Sequence, residues 1–178
     1  MHVKNTTDRY GVAAIFLHWL MAVLLIGLLI LGLYMVALPI SLEKLKLYGW
    51  HKEYGLLALW LAILRVAWRI INITPYLALP RWERIAARSV HWAFYGFMFA
   101  LPITGWLITS AAGLPASFFG LFVLPDLVVP DEAQRLLFQE IHEWLGYGLI
   151  AAIGLHTCAA LKHHFFNKDD ILRRMLHD

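Results

Sequence analysis

The sequence predicts an all-α integral membrane protein in which four transmembrane helices pack as a bundle. Hydrophobic residues make up 61% of the 178 residues and charged residues only 15%, and the mean hydropathy is +0.64. An ordinary soluble domain is about half apolar and about one quarter charged. Four apolar stretches are each long enough to cross about 30 Å of hydrocarbon at roughly 1.5 Å per helical residue. We therefore expect the chain to lie in a bilayer.

The four predicted helices follow one another along the chain. The first, near 11–38, carries no formal charge and is longer than the roughly 7–15 apolar residues of a cleaved signal peptide, so we expect it to be retained. Pro39, Pro75 and Pro80 fall between helices, where the ring does not interrupt helical hydrogen bonds. Pro102 lies inside the third helix and predicts a kink. The expected helices, in a single domain over 1–178, are 11–38, 51–73, 88–110 and 139–165.

Lysine and arginine are unevenly distributed between the two predicted sides of the membrane. Eleven of the 15 lie in the N-terminal tail, in the link between the second and third helices with its flanks, or at the C-terminal end. The other four lie on the opposite side. Because basic residues are enriched on the cytoplasmic side of membrane proteins, we expect both termini in the cytoplasm. The formal charge of +3 then reflects topology and is no sign of nucleic-acid binding.

Four histidines inside the predicted helices fall at two depths. His142 and His156 are 14 residues apart, which is about 21 Å and close to four full turns, so they share one face of the fourth helix. With the expected orientation, His18 lies at the inner level on the first helix. His51 starts the second helix at the outer level. The sequence thus predicts an inner pair, His18 and His156, and an outer pair, His51 and His142.

Paired imidazoles inside a membrane are typical of a metal cofactor. Polar groups are costly in hydrocarbon and usually mark a functional pathway or a cofactor. Haem iron takes two axial nitrogens on opposite faces of a flat ring, which needs a small residue one turn from each ligand. Small residues four positions from the four histidines are Ala14, Ala22, Gly55, Gly146, Ala152 and Ala160. Small residues also serve helix packing in membranes, but the pattern favours two haems.

The remaining cysteine and histidines restrict the type of haem. Cys158 is the only cysteine and no C-x-x-C-H motif occurs, which excludes covalent c-type haem and an internal disulfide. Any haem is then b-type. His91 competes for the inner level, but Tyr95, four residues on, would crowd a porphyrin. We expect His91 to be a hydrogen-bonding or propionate-side residue, or an interfacial histidine, and His2 and His177 to be solvated.

Several motifs resemble the bacterial cytochrome b561 family. They are HWL at 18–20, Trp50 with His51, RVAWR at 65–69, FALPITG at 99–105, and EIHE followed by GLHTCAALKHHFFNKDDILRRM in the fourth helix and its tail. The match covers nearly the whole chain and is similar to the small stand-alone di-haem members from enterobacteria. The fourth helix with its tail is the most specific part.

The resemblance implies a four-helix bundle in the bacterial inner membrane with two non-covalent haem b groups. The ligands would be His18 and His156 near the cytoplasm, and His51 and His142 near the periplasm. It also implies electron transfer to or from quinone, and similar members are expected to oxidise superoxide at the periplasmic face and to reduce ubiquinone. The expected partners are membrane lipid, ubiquinone or a similar quinone, and superoxide or another periplasmic one-electron donor. A homodimer is an alternative to a monomer.

The inner end of the fourth helix carries donors that suit a quinone. Quinone oxygens need hydrogen-bond donors as they take up charge and protons. Lys162, His163 and His164 offer such donors, and His163 lies about two turns past His156 on nearly the same face. We therefore predict His163 as a quinone-site residue, where the family resemblance also points. Interfacial anchoring is the alternative role for these side chains.

Basic side chains near each level suggest further contacts. Arg65 and Arg69 are four residues apart and share the inner part of one helix face. We expect Arg65 to pair with a haem propionate, whereas Arg69 is expected to extend to the interface. On the outer side Lys44, Lys46 and Lys52 would attract an anion such as superoxide, although glutamates nearby oppose this effect.

Residues 111–138 form an apolar outer loop that prolines break into pieces too short to span a bilayer. We expect this loop to lie at the interface, to cover the outer pair or to meet a partner protein.

Two other functions stay open from the sequence. One is a membrane-anchor cytochrome b subunit of a larger dehydrogenase or hydrogenase-type complex, although short outer loops and a short tail favour a stand-alone protein. The other is a transporter or metal channel that uses the histidines without haem. A transporter of this kind would be colourless, so a haem assay separates it from the cytochromes.

Overall fold

Four long helices dominate the computed structural model, which describes residues 3–7, 9–75 and 79–176. The helices are α1 (Val12–Ala37), α2 (Leu42–Ile71), α3 (Arg81–Ala111) and α4 (Glu132–Lys162). Among the described residues, these four helices are long and apolar enough to cross a membrane. The predicted fold class, a helical membrane protein with four spans, is therefore confirmed.

Three helices begin earlier than hydropathy predicts. α2 starts nine residues before the expected position, and α3 and α4 each start seven residues before it. Their first turns carry charged side chains, which lower hydropathy without preventing a helix. Ser41 caps α2 by accepting a hydrogen bond from the Lys44 N–H, and Asp131 caps α4 by accepting one from Gln134. As a result His51 is the tenth residue of α2, not its first.

Apolar side chains from all four helices meet in the middle of the bundle. Neighbouring helices in the sequence pack against each other, α1 with α2, α2 with α3 and α3 with α4. The buried residues of this mid-bundle core are Met21, Leu25, Ala58, Ala62, Met98 and Leu149. Leu149 lies seven residues from both His142 and His156 on α4. The mid-bundle core therefore separates the two histidine levels.

Both chain ends and the α2–α3 link lie at the same end of the bundle. The Asn5 side chain donates a hydrogen bond to the Ile73 carbonyl at 2.8 Å, which joins the N-terminal segment to the link. The Trp19 indole N–H donates to the Met175 carbonyl at 2.6 Å, which joins the C-terminal segment to α1. We call this the inner end and the opposite one the outer end.

A small hairpin stands in the α3–α4 link at the outer end. β1 (Ala116–Phe118) pairs antiparallel with β2 (Phe122–Leu124), a feature that the all-α prediction does not include. Phe119 and Gly120 form its turn with φ of 49° and 71°, a region in which glycine is favoured. The Phe119 ring lies against Tyr54 of α2, with 5.3 Å between ring centroids. The hairpin therefore lies beside α2.

The proline positions agree with the helix bounds. Pro39, Pro75 and Pro80 lie outside the four helices, whereas Pro102 is buried inside α3. The helix continues on both sides of Pro102, from Arg81 to Ala111.

Candidate functional site

α2 and α4 bring His51 and His142 together at the outer level. The centroids of the two rings are 6.1 Å apart and the ring planes are inclined by 76°. Both side chains are half-buried. The two rings therefore face each other without stacking.

His142 is held by α3. Thr104 Oγ1 lies 2.9 Å from His142 Nδ1, within hydrogen-bonding distance. The next residue, Gly105, also lies beside the ring, since a Cβ built there would be in ordinary van der Waals contact with His142 Cε1 at 3.5 Å. α3 thus fixes the orientation of a histidine that belongs to α4.

His51 is packed more tightly, but its Nδ1 lacks a polar partner in the part of the chain that the structure describes. A Cβ built at Gly32 of α1 would lie 3.3 Å from His51 Cε1, so a larger residue there would require the ring to shift by a few tenths of an ångström. Among the described residues, no donor or acceptor reaches the buried His51 Nδ1. Buried polar atoms without a partner are rare in native proteins. The outer level therefore contains a polar group that the described protein atoms alone do not satisfy.

α1 and α4 bring His18 and His156 together at the inner level. The ring centroids are 6.2 Å apart and the planes are inclined by 58°. Arg65 Nη2 lies 3.2 Å from His18 Nδ1. Because a guanidinium only donates, His18 Nδ1 accepts in this arrangement, and the ring proton lies on Nε2. For Nε2 to bind a metal, the flexible Arg65 side chain has to turn away from Nδ1.

A third histidine lies beside the inner pair. His91 and Phe94 of α3 both lie against the His156 ring of α4. The centroid distances to His156 are 5.8 Å for His91 and 5.4 Å for Phe94. His91 is the eleventh residue of α3, so it is deeper than an interfacial position at the helix start. Arg69 is exposed and lies over the Tyr95 ring at 5.7 Å.

Open space lies beside both outer histidines. A Cβ built at Gly55 or Gly146, one turn from His51 and His142, would meet no atom within 4 Å. A side chain added at either position would therefore meet no neighbouring atom at its Cβ. The same is true of Gly27 and Gly154, so space alone does not distinguish the histidine sites.

The donor atoms suit a cofactor with equatorial ligands of its own. Within the described ranges, no group of three or more His, Cys, Asp or Glu side chains is placed to hold a metal ion. A structural zinc site takes four protein ligands, whereas haem iron takes only axial ligands from the protein. Two facing histidines at each level therefore fit haem better than a bare metal ion.

His163 stands in an unusual helix end. After α4 the chain forms one π-helical turn, His163–Asn167, a geometry that is frequent at functional sites. His163 Nδ1 lies 2.6 Å from Asp169 Oδ2, and the Ile171 N–H donates to the other oxygen of that carboxylate at 3.2 Å. The His163 side chain is only 12% exposed. The turn thus places a histidine and a carboxylate in direct contact at the inner end.

The other predicted donors at this end are differently placed. Lys162 forms an ion pair with Glu83 of α3 at 3.0 Å and lies over the Trp82 ring at 5.6 Å, so it fastens α4 to α3. His164 lies with its ring 4.8 Å from that of Phe165. His2 and His177 lie outside the described residues.

Four contacting residues do not follow from the sequence. Thr104 and Gly105 belong to FALPITG, a motif that marks the family without indicating which side chain meets a histidine. Gly32 is one of many small residues in an apolar helix, and Asp169 lies beyond the predicted helix end. The only sequence signal for the Thr104 contact is that a polar residue occurs within an apolar part of α3.

The family of the chain follows from residues 9–178, which match the sequence model described as prokaryotic cytochrome b561. The chain belongs to this family. It is 39% identical to "Cytochrome b561 homolog 2" of Escherichia coli (strain K12) over 186 residues, which cover 99% of this chain and 95% of the relative. "Cytochrome b561 homolog 1" of the same organism is 40% identical over 100 residues, 54% of each chain. "Probable superoxide oxidase CybB" of Yersinia pestis is 28% identical over 197 residues, 99% of this chain and 97% of that one.

Family membership confirms the predicted resemblance and implies a b-type haem. Prokaryotic cytochromes b561 are electron-transport proteins with b-type haem. With four membrane-spanning helices, the chain is a multi-pass protein of the inner membrane. The paired histidines and the open positions beside Gly55 and Gly146 fit such a group.

Proposed function

We propose that this protein is a di-haem b-type cytochrome that relays single electrons across the inner membrane between a periplasmic donor and the quinone pool, as a single domain over 1–178. The observation that carries the proposal is the presence of two histidine pairs, with ring separations of 6.1 and 6.2 Å, at two levels of one bundle. The outer pair would hold one haem and the inner pair the other. When bound, haem supplies reversible one-electron storage and transfer.

The residues between the levels keep the interior apolar. The mid-bundle core is entirely apolar, since it consists of alanine, leucine and methionine side chains from all four helices. Such packing excludes water and holds the two pairs at a fixed separation of about 21 Å along α4. Because two histidines would hold the haem at each level, the donor and the acceptor would react at neighbouring protein sites.

The inner end is assigned to the cytoplasm and the outer end to the periplasm. The support is the concentration of basic residues at the end where the termini and the α2–α3 link meet. Superoxide is the proposed periplasmic donor, because a relative matched over nearly its whole length is named a superoxide oxidase. Lys46 lies over Trp50 at 5.0 Å at this outer end and contributes positive charge that attracts anions.

The proposed quinone site is at the inner end around His163. Its support is the 2.6 Å contact of His163 Nδ1 with Asp169 Oδ2, which orients the ring so that Nε2 can hydrogen-bond a quinone oxygen. Reduction of a quinone to a quinol takes up two electrons and two protons, so a proton-carrying group is needed there. Arg65, which is adjacent to His18, would pair with a haem propionate after turning from the ring.

Reconstituted vesicles test the whole proposal. Purified protein is inserted into liposomes that contain ubiquinone, superoxide is generated outside, and ubiquinone reduction is followed spectroscopically together with haem absorbance. We expect haem-dependent reduction in vesicles without any added protein partner. Full haem content with no quinone reduction would exclude the proposed acceptor or donor, and a colourless protein would support the transporter function instead.

The quinone site has its own test. His163→Ala should retain both haems and lose most ubiquinone reduction, whereas His164→Ala should change little. His164 is the matched control because it neighbours His163 in the same turn and makes its ring contact with Phe165. Unchanged reduction in His163→Ala would place the quinone elsewhere.

A further inference from the structure

A buried hydroxyl of α3 connects one proposed haem ligand to the helix backbone. Thr104 is only 9% exposed. Its Oγ1 lies 2.9 Å from His142 Nδ1, 2.8 Å from the Ala100 carbonyl oxygen and 2.9 Å from the Leu101 carbonyl oxygen. The hydroxyl is thus shared between a histidine of α4 and the backbone of its own helix.

The chemistry of these groups sets the direction of the hydrogen bonds. A carbonyl oxygen only accepts, so the single proton of Thr104 goes to Ala100 or Leu101, and Oγ1 offers a lone pair to His142. His142 Nδ1 must then donate and carry the ring proton. In the neutral ring, Nε2 is left without a proton and free to bind a metal.

His51 and His18 lack this arrangement. No partner among the described residues reaches His51 Nδ1, and His18 Nδ1 faces a guanidinium that donates to it. His142 is therefore oriented in advance for binding through Nε2, whereas His18 first has to lose its contact with Arg65.

We propose that Thr104 is a positioning residue that fixes the tautomer and orientation of His142 and makes this ligand more basic. The proposal rests on the proposed function, in which His142 holds the outer haem. A hydrogen bond from the far nitrogen of a ligating histidine orients the ring and increases its donation to the metal, and loss of such a partner weakens metal binding by about 10- to 100-fold. Thr104 therefore stabilises the outer haem in its oxidised form.

Three variants separate the hydroxyl from the shape of the side chain. Thr104→Val keeps the shape and removes the acceptor, whereas Thr104→Ser keeps the hydroxyl. Thr109→Val is the matched control, because Thr109 is 5% exposed on the same helix and its hydroxyl donates to the Gly105 carbonyl at 3.0 Å. The measurements are haem per chain, the midpoint potential of each haem, and the low-temperature electron paramagnetic resonance spectrum of the oxidised protein.

We expect Thr104→Val to lose the outer haem about 10 to 100 times more readily and, where it is retained, to raise the midpoint potential of that component alone. Thr104→Ser and Thr109→Val should behave like the unchanged protein. Identical spectra and potentials for Thr104→Val and Thr109→Val would overturn the proposal. Equal loss of haem in Thr104→Val and Thr104→Ser would also overturn it, since packing and not the hydroxyl would then be responsible.

The variant His142→Ala distinguishes a failure of this proposal from a failure of the proposed function on which it rests. If His142→Ala leaves both haems in place, the ligand assignment fails and the role of Thr104 fails with it. If His142→Ala removes one haem while Thr104→Val changes neither retention nor potential, the di-haem function stands and the role of Thr104 alone is contradicted.

Discussion

The inner and outer pairs have the same ring separation but different surroundings. The centroid distances are 6.2 and 6.1 Å. Outside, His142 meets the neutral hydroxyl of Thr104 and the His51 Nδ1 has no partner among the described residues. Inside, the Arg65 guanidinium is 3.2 Å from His18 and His91 lies beside His156. The bundle thus sets the spacing of the paired histidines, whereas the neighbouring helix sets their electrostatic environment.

The difference indicates a direction for electron transfer. Positive charge near an iron favours its reduced form, and a more basic ligand favours its oxidised form. The Arg65 charge would raise the potential of the inner haem and the Thr104 contact would lower that of the outer one. Transfer from the outer to the inner level would then be favourable, in agreement with a periplasmic donor and a cytoplasmic-side quinone site.

The largest expected effect comes from breaking either level. His51→Ala at the outer level and His156→Ala at the inner level should each abolish electron transfer across vesicle membranes, because a relay needs both haems. His164→Ala serves as control and should retain transfer. A variant that loses a whole level and still carries electrons from one side to the other would contradict the two-level relay.

A smaller effect is expected from filling the space beside one ligand. Gly146→Leu should displace the outer haem and leave the inner one, because the added side chain occupies the space one turn from His142. Gly154→Leu on the same helix also has open space around it, but it does not lie one turn from a ligand, and should retain both haems. Haem content and the reduced difference spectrum measure this. Equal loss in the two variants would point to general damage to α4.

Removing the inner charge should shift a potential without removing a haem. Arg65→Met is expected to lower the midpoint potential of the inner component and leave the outer one unchanged. Arg69→Met should have a smaller effect, because Arg69 is exposed and lies over Tyr95. Potentiometric titration resolves the two components. A shift of the outer component in Arg65→Met would show that the levels are assigned in the wrong order.

The smallest expected effect concerns proton handling at the inner end. Asp169→Asn keeps the shape of the side chain but removes the charge that faces His163. A charge-assisted hydrogen bond contributes about 1.5–3 kcal/mol, so partial loss should slow ubiquinone reduction roughly tenfold. Haem content and both potentials should stay unchanged. Asp170→Asn, one residue on, is the control. An equal effect in both variants would mean that the loss of any negative charge at the inner end, and not the contact with His163, slows the reaction.

Much of the fold could be predicted because hydropathy and helical periodicity are local properties of the chain. The spans follow from apolar length, and the two histidine levels follow from the 14-residue spacing on α4. The early helix starts were missed because charged first turns have low hydropathy. Ser41 and Asp131 are nevertheless residue types that commonly cap helices. The hairpin was missed because apolar residues between prolines are equally typical of an irregular loop.

The details of the site depend on contacts between distant positions, which no local pattern reveals. Thr104 and His142 are 38 residues apart, and Arg65 and His18 are 47 apart. A threonine inside an apolar helix commonly hydrogen-bonds its own backbone, as Thr109 does. Only the packing of α3 against α4 distinguishes the two threonines. The ligand types were thus predictable, whereas the neighbours that tune them were not.

The central claim is that each histidine pair holds one haem b. The most direct test is a pyridine haemochrome assay on detergent-purified protein and on the single variants His142→Ala and His156→Ala. We predict about two b haems per chain in the unchanged protein and about one in each variant, with different components lost in the two difference spectra. One haem that is indifferent to both substitutions, or no haem at all, would contradict the account.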